Sequence, residues 1–170
     1  YAMPGGVIVI HSGLILNTSS ESELAAVVAH EMAHVSQRHI ARMLADQRGS
    51  PLLTGLGVLA GAAAATKNPE AGEAIITGTI AAQAHSQLAF SRQAEAEADR
   101  VGLQILAGAG FDPGAMPSFL QKLDRRSNEK LYGNITKYVR THPLSLDRVS
   151  ATRSRAAQMG GAKQPDDVSY

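Results

Sequence analysis

Cysteine is absent from the 170-residue chain, and so is tryptophan. The first absence removes disulfide scaffolds, iron–sulfur sites and thiol nucleophiles from consideration, and it fits any compartment. Aromatic residues make up only 4% of the chain. That is too few to stack bases beside the small basic clusters Arg125–Arg126 and Arg148, Arg153 and Arg155, which read as solvated helix faces. Charge of one sign is lacking too: 16 Lys and Arg face 15 Asp and Glu, a formal net charge of +1. Nothing here calls for nucleic acid or a strongly acidic partner. Long apolar runs are also missing. The longest, L-L-T-G-L-G-V-L-A-G-A-A-A-A at 52–65, falls short of the ~20 residues of a membrane-spanning helix and is mostly Gly and Ala. It reads as a packed or surface-lying helix, which leaves membrane contact open but not a span. No signal peptide is visible, and a chain beginning at Tyr1 without Met reads as part of a longer polypeptide, which leaves open the removal of targeting segments.

What is present is apolar content, 44% of the chain, enough to bury a sizeable core. Residues 1–170 are expected to form a single domain. Residues 7–16, V-I-V-I-H-S-G-L-I-L, follow the turn Pro4-Gly5-Gly6 and read as a strand with a bend at Gly13. Ser20 with Glu23, or Thr18 with Glu21, fits a capping box and starts a helix expected to run to about Asp46, ahead of Gly49-Ser50-Pro51. Two helices follow at 52–66 and 70–90, joined by Lys67-Asn68-Pro69. A helix at 91–107 stops at Gly108-Ala109-Gly110, and Asp112-Pro113 opens another to about Arg126. After a polar connection and the break T-H-P at 141–143, a last helix runs from Ser145 to about Met159. Gly160-Gly161 closes it, ahead of a loose polar tail. The fold class is α+β, predominantly α-helical, with a small β element near the N-terminus.

Residues 27–35, V-V-A-H-E-M-A-H-V, put a carboxylate on an apolar helix. A buried carboxylate is costly unless it is paired or working. His30 and His34, at i and i+4, point the same way and can hold one metal ion. Glu31 beside them can take a proton from water that such an ion activates. H-E-x-x-H alone also fits a plain surface helix. The longer pattern H-E-x-x-H-x-x-G-x-x-H is excluded, because Gln37 and Ile40 stand where Gly and His would be needed. His39, one position off, reads as an exposed or capping residue, and His11 and His85 read as structural.

A third ligand is expected in S-R-Q-A-E-A-E-A-D-R-V-G, residues 91–102. Glu95 and Asp99 are again i and i+4, and they share a face with Leu103 and Leu106, so that face is expected to be buried. Glu95 can ligate the metal, and Asp99 can accept the other ring N–H of a ligand histidine. In T-H-P-L-S-L-D-R, residues 141–148, the proline pushes His142 towards an extended backbone that could present its imidazole to a cleft. Arg148 could aim at the same place, beside a developing oxyanion. Taken alone, though, it reads better as a surface salt bridge.

These pieces, in this order, resemble the zinc peptidase family that includes the CAAX prenyl proteases, the HtpX-like heat-shock proteases and the periplasmic BepA-like proteases. The resemblance covers nearly the whole chain: Y-A-M-P-G-G-V-I-V-I-H-S-G-L, then H-E-M-A-H, then S-R-x-x-E-x-E-A-D, then T-H-P-x-x-x-x-R. It implies a zincin-like metalloprotease domain with an active-site helix, a second ligand helix and a small sheet. One zinc would be held by His30, His34 and Glu95. Glu31 would be the general base and Asp99 the partner of a ligand histidine. His142 and Arg148 would lie near the metal, stabilising the oxyanion or, at rest, covering the zinc. Lack of a transmembrane span favours the soluble BepA-like branch over the other two. That branch implies the periplasm of a Gram-negative bacterium, unfolded or misassembled envelope proteins as substrates, and the outer-membrane assembly machinery as a partner. The helical repeats often carried by that branch are not seen in this sequence. The leading expectation is a zinc endopeptidase. A chaperone-like binding module with its zinc covered by His142 is the alternative. A purely structural zinc domain is less favoured, because it would not need Glu31.

Overall fold

The computed structural model describes residues 1–3, 5–128, 138–139 and 141–161, with 47–50 and 127–128 as backbone only. Pro4, most of the polar connection before T-H-P, and the tail beyond Gly161 lie outside the described residues. Gly5 and Gly6 have φ of 87° and 81°, a left-handed turn open to glycine. Around it β1 (Ala2–Met3) pairs antiparallel with β2 (Val7–Ile8), Ala2 opposite Ile8. The strand expected over 7–16 ends there. Ser12–Ile15 instead forms a helical turn, α1, with Asn17 Nδ2 donating to Gly13 O at 2.6 Å. The turn places Leu14 in the core at 3% exposure, and that burial outweighs the β-propensity of the run.

The T-S-S-E-S-E stretch does start a helix, α2 (Glu21–Ser36). The Ser20 hydroxyl accepts from the Glu23 N–H at 3.2 Å, and Glu23 Oε2 reaches back to the Ser19 N–H at 2.7 Å. Donors at the helix start are thus met by side chains. The helix stops at Gln37–Arg38, where Arg38 takes φ 53°. It does not continue to Asp46 as expected. No glycine marks this break, so nothing in the local sequence announces it.

The chain divides into two compact units. One is the hairpin of α3 (His39–Ala65) and the first part of α4 (Pro69–Gly108). Here α3 runs straight through Gly49-Ser50-Pro51, with Pro51 inside the helix. An interior proline costs about 3 kcal/mol. Contacts along the hairpin offset it: Thr54 donates to Gln83 Oε1 at 2.7 Å, and Gly57 and Gly61 leave room for Thr79 and Ile76. A side chain at Gly72 would overlap Ala65. His39, read as exposed or capping, stands buried at the start of α3. Among the described residues no helix is long and apolar enough to cross a membrane.

The other unit contains Tyr1–Arg38 and the described residues from Ala94 onward. It includes the end of α4, α5 (Ala115–Asn128) and α6 (Leu146–Ala156). The end of α4 is a Schellman-type stop: Gly110 has φ 90°, its N–H meets Ala107 O, and the Phe111 N–H meets Leu106 O. Asp112 Oδ1 accepts from the Gly114 N–H at 2.9 Å ahead of α5, and Ser145 caps α6 through the Arg148 N–H at 3.2 Å. α2 packs against α5 and both strands, and α5 packs against α6. Two apolar clusters result. One joins Ala26 and Ala29 to Leu103, Leu106, Met116 and Leu120. The second joins Leu14, Val27, Phe119, Leu123 and Tyr138. On the far side of α2, Leu24, Ala25, Val28 and Met32 line an open apolar hollow with Ile105 and Phe111.

Leu123 is fully buried in the second cluster. Leu123→Ala is expected to cost about 2–5 kcal/mol of stability, read from the midpoint of urea unfolding.

Candidate metal centre

The site forms where α4 crosses α2, and the crossing is close. A Cβ on Gly102 would lie 3.2 Å from both N and Cα of His30 and 3.1 Å from Met116 Cε. Glycine lets the two backbones meet there. One to two turns before Gly102, Glu95 and Asp99 then face His30 and His34. All of these acids and His30 are buried, with Glu31 at 0% exposure.

Four side chains converge. His30 Nε2 stands 3.1 Å from His34 Nε2, 3.2 Å from His142 Nδ1 and 3.4 Å from Glu95 Oε2. Glu95 Oε1 is 3.3 Å from His34 Nε2 and 3.0 Å from His142 Nδ1. One ligand atom from each of His30, His34, Glu95 and His142 lies within 4.8 Å of all the others. Donors on a tetrahedron around an ion, each roughly 2.0–2.1 Å from it, stand about 3.3 Å apart. The contacts here, from 3.0 to 3.4 Å, bracket that edge. Three imidazole nitrogens and one carboxylate are also a donor set suited to zinc, so the residues present fit such an ion.

Asp99 and Arg148 hold this set from behind. Asp99 Oδ1 is 3.0 Å from His30 Nδ1, which orients the ring so that Nε2 faces the cluster. Arg148 Nε donates to Asp99 Oδ2 at 2.7 Å and Nη2 to Oδ1 at 2.8 Å. Its Nη1 reaches Pro143 O and Glu95 Oε2, both at 2.8 Å. Arg148 is therefore buried and bound on several sides. It lies neither in a surface salt bridge nor on a solvated basic face with Arg153 and Arg155.

The electrostatics follow from this crowding. Burial disfavours the His30 imidazolium, but Asp99 and Glu95 outweigh it and raise its pKa to about 9. Burial pushes Glu95 up, yet His142, His30 and His34 together hold it far below the usual carboxylate range. Burial lowers His34. His142 is raised because Glu31 and Glu95 overcome its burial. Glu31 has His142 Nε2 at 3.2 Å and the Tyr1 amine at 3.3 Å as charged neighbours. Burial alone would raise its pKa, but these neighbours, His142 first, bring it down to about 2. Among the described residues neither Glu31 oxygen has a hydrogen-bond partner. Its contacts are the ion pairs with His142 and Tyr1, and a buried carboxylate so placed calls for an explanation.

The structure thus brings His30, Glu31, His34, Glu95, Asp99, His142 and Arg148 into one connected network. His142 arrives at the end of a short helical segment. Its N–H donates to Tyr138 O at 2.9 Å, so the imidazole follows directly on a helical turn. Tyr138 was not anticipated as part of the site. Its ring stacks on that of His142 with centroids 4.6 Å apart and planes 28° apart. The only sequence signal for it is an aromatic residue four positions before the histidine. Gly102, likewise passed over, had no local signal beyond its place after Asp99. His85 is exposed on α4.

Residues 1–156 match peptidase family M48. The chain belongs to peptidase family M48. It is 43% identical over 159 residues, 94% of its own length, to the beta-barrel assembly-enhancing protease of Escherichia coli (strain K12), of which it covers 32%. It is 44% identical to the protein of the same description in Yersinia pestis, with the same coverage of 94% and 32%. It is also 31% identical over 148 residues, 87% of the chain, to the mitochondrial metalloendopeptidase OMA1 of Arabidopsis thaliana, covering 27% of that protein. The chain spans about a third of the length of the curated relatives it matches. In this M48 chain the cluster of His30, His34, Glu95 and His142 is the candidate metal site.

Two expectations follow. A ligand imidazole must be neutral, while His30 in the metal-free M48 chain holds its proton up to about pH 9. Metal uptake should therefore release protons, and affinity should rise from neutral pH towards about 9. Calorimetry in buffers of different ionisation enthalpy measures this, and uptake without proton release would contradict it. Gly102→Ala gains helix propensity, but its Cβ meets the His30 backbone. The net expectation is a loss on the order of 1 kcal/mol in urea unfolding together with weaker metal binding in a chelator competition.

Proposed function

We propose that this chain is the catalytic part of a zinc endopeptidase. His30, His34 and Glu95 hold one zinc ion and Glu31 acts as general base. The observation that carries the reading is the convergence of imidazole and carboxylate donors at tetrahedral spacing beside a buried, ionised Glu31 without a hydrogen bond. Zinc, when bound, supplies Lewis acidity that polarises a peptide carbonyl and makes water a better nucleophile. Glu31 takes the proton from the attacking water and returns it to the leaving amine. Asp99 keeps the proton of His30 on Nδ1 and so keeps Nε2 free for the ion. Arg148, bound to Asp99, Glu95 and Pro143 O, stiffens both acids and orients the chain beside His142. The edge of the short β1–β2 sheet suits an extended substrate, which would add main-chain hydrogen bonds.

One observation favours a second, resting state of the same site. His142 Nδ1 stands among the donors, and four protein ligands make a closed set. In that state His142 covers the metal and has to swing aside for substrate. In the arrangement described, its Nε2 lies 3.2 Å from Glu31. By likeness to the beta-barrel assembly-enhancing proteases, the substrates are unfolded or misassembled outer-membrane proteins, the compartment is the periplasm, and the assembly machinery is the partner.

Glu31→Gln should lower cleavage of unfolded casein roughly 10²–10⁴-fold while leaving zinc content unchanged, and a chelator should stop the parent. Equal cleavage by both would remove Glu31 from the reaction. Faster cleavage by His142→Ala would mark His142 as a cover, and slower cleavage would mark it as a participant.

A further inference from the structure

We propose that Tyr138 is a positioning residue that holds the His142 imidazole over the donors of His30, His34 and Glu95. The proposal rests on the reading of His142 as a group that acts at the metal.

Tyr138 grips its neighbour twice. Its ring lies stacked on the imidazole at 4.6 Å and 28°, and its carbonyl accepts the His142 N–H at 2.9 Å. The same carbonyl accepts the Thr141 hydroxyl at 3.0 Å, which tightens the turn between them. Tyr138 is itself anchored, 6% exposed in the cluster of Leu14, Val27, Phe119 and Leu123. Beyond His142 the chain is tied again, by Pro143 O to Arg148 Nη1 at 2.8 Å. The imidazole edges are occupied: Nδ1 faces Glu95 at 3.0 Å and His30 at 3.2 Å, and Nε2 faces Glu31 at 3.2 Å. The stacked Tyr138 ring closes one face of the imidazole while these contacts hold its nitrogens. Rotation of the imidazole out of the cluster means sliding it off the Tyr138 ring. The core cluster thereby sets how readily His142 meets or leaves the metal.

The contact can be read without turnover. In the metal-free chain with labelled histidine, the His142 ring protons, assigned by their loss in His142→Ala, should be shielded by the Tyr138 ring. Tyr138→Phe should keep that shielding, and Tyr138→Leu, which keeps apolar volume in the core, should abolish it. Tyr138→Leu should also raise the zinc dissociation constant about 2- to 10-fold, the scale of a stacked pair, and Tyr138→Phe should restore it. In the His142→Ala background Tyr138→Leu should add no further loss. Unmoved His142 resonances in Tyr138→Leu would overturn the proposal, and so would an equal loss of affinity in the His142→Ala background. If the resonances move but His142→Ala binds zinc as tightly as the parent, Tyr138 does hold His142, and it is the reading of His142 as a metal cover that fails.

Discussion

The Asp99 carboxylate is the tie on which the site depends. It sits on α4, takes the Nδ1–H of His30 on α2, and takes two donors from Arg148 on α6. Three helices distant in sequence are joined through two oxygen atoms in a water-poor interior. A buried charge is tolerable only when its neighbours satisfy it, and removing one partner of such a pair is strongly destabilising. The metal-facing side chains are thereby braced from the rear before any ion is bound, and Arg148 extends the brace to Glu95 and to the carbonyl before the last helix.

Close approach makes that tie possible. Gly102 lets α4 settle against the backbone of His30, and Leu103 and Leu106 fill the adjoining core. Polar pairing at Glu95 and Asp99 and apolar burial at Leu103 and Leu106 thus occupy successive turns of one helix. The same helix extends back into a hairpin whose packing relies on Gly57, Gly61 and Gly72. There small residues serve contact between helices, whereas Gly102 serves contact with a ligand-bearing backbone.

Glu31 illustrates how chemistry is separated from support. Every other acid of the site is bound by several donors, while Glu31 has charged neighbours but no hydrogen bond. The fold keeps it ionised by placing His142 next to it, despite full burial. Donors are dense around Glu95 and Asp99 and sparse around Glu31.

The sequence by itself determined the helical character of the chain, the cap at Ser20 and the residue types of the site, because these follow from local spacing. Histidines at i and i+4 share a face in any helix, and so do Glu95 and Asp99. Tertiary structure decided the rest. The run at 7–16 became a two-residue strand and a helical turn because Leu14 found the core. The helix break fell at Arg38 instead of at Gly49-Ser50-Pro51, because hairpin contacts carry α3 through its proline. His142 entered the donor set by way of a turn stacked on Tyr138, and Arg148 turned inward from an apparently ordinary basic helix. The separations along the chain range from 29 positions for Thr54–Gln83 in the hairpin to 47 for His142–Glu95 and 112 for His30–His142. Local pattern names the residues that can do chemistry, and long-range packing selects which of them touch.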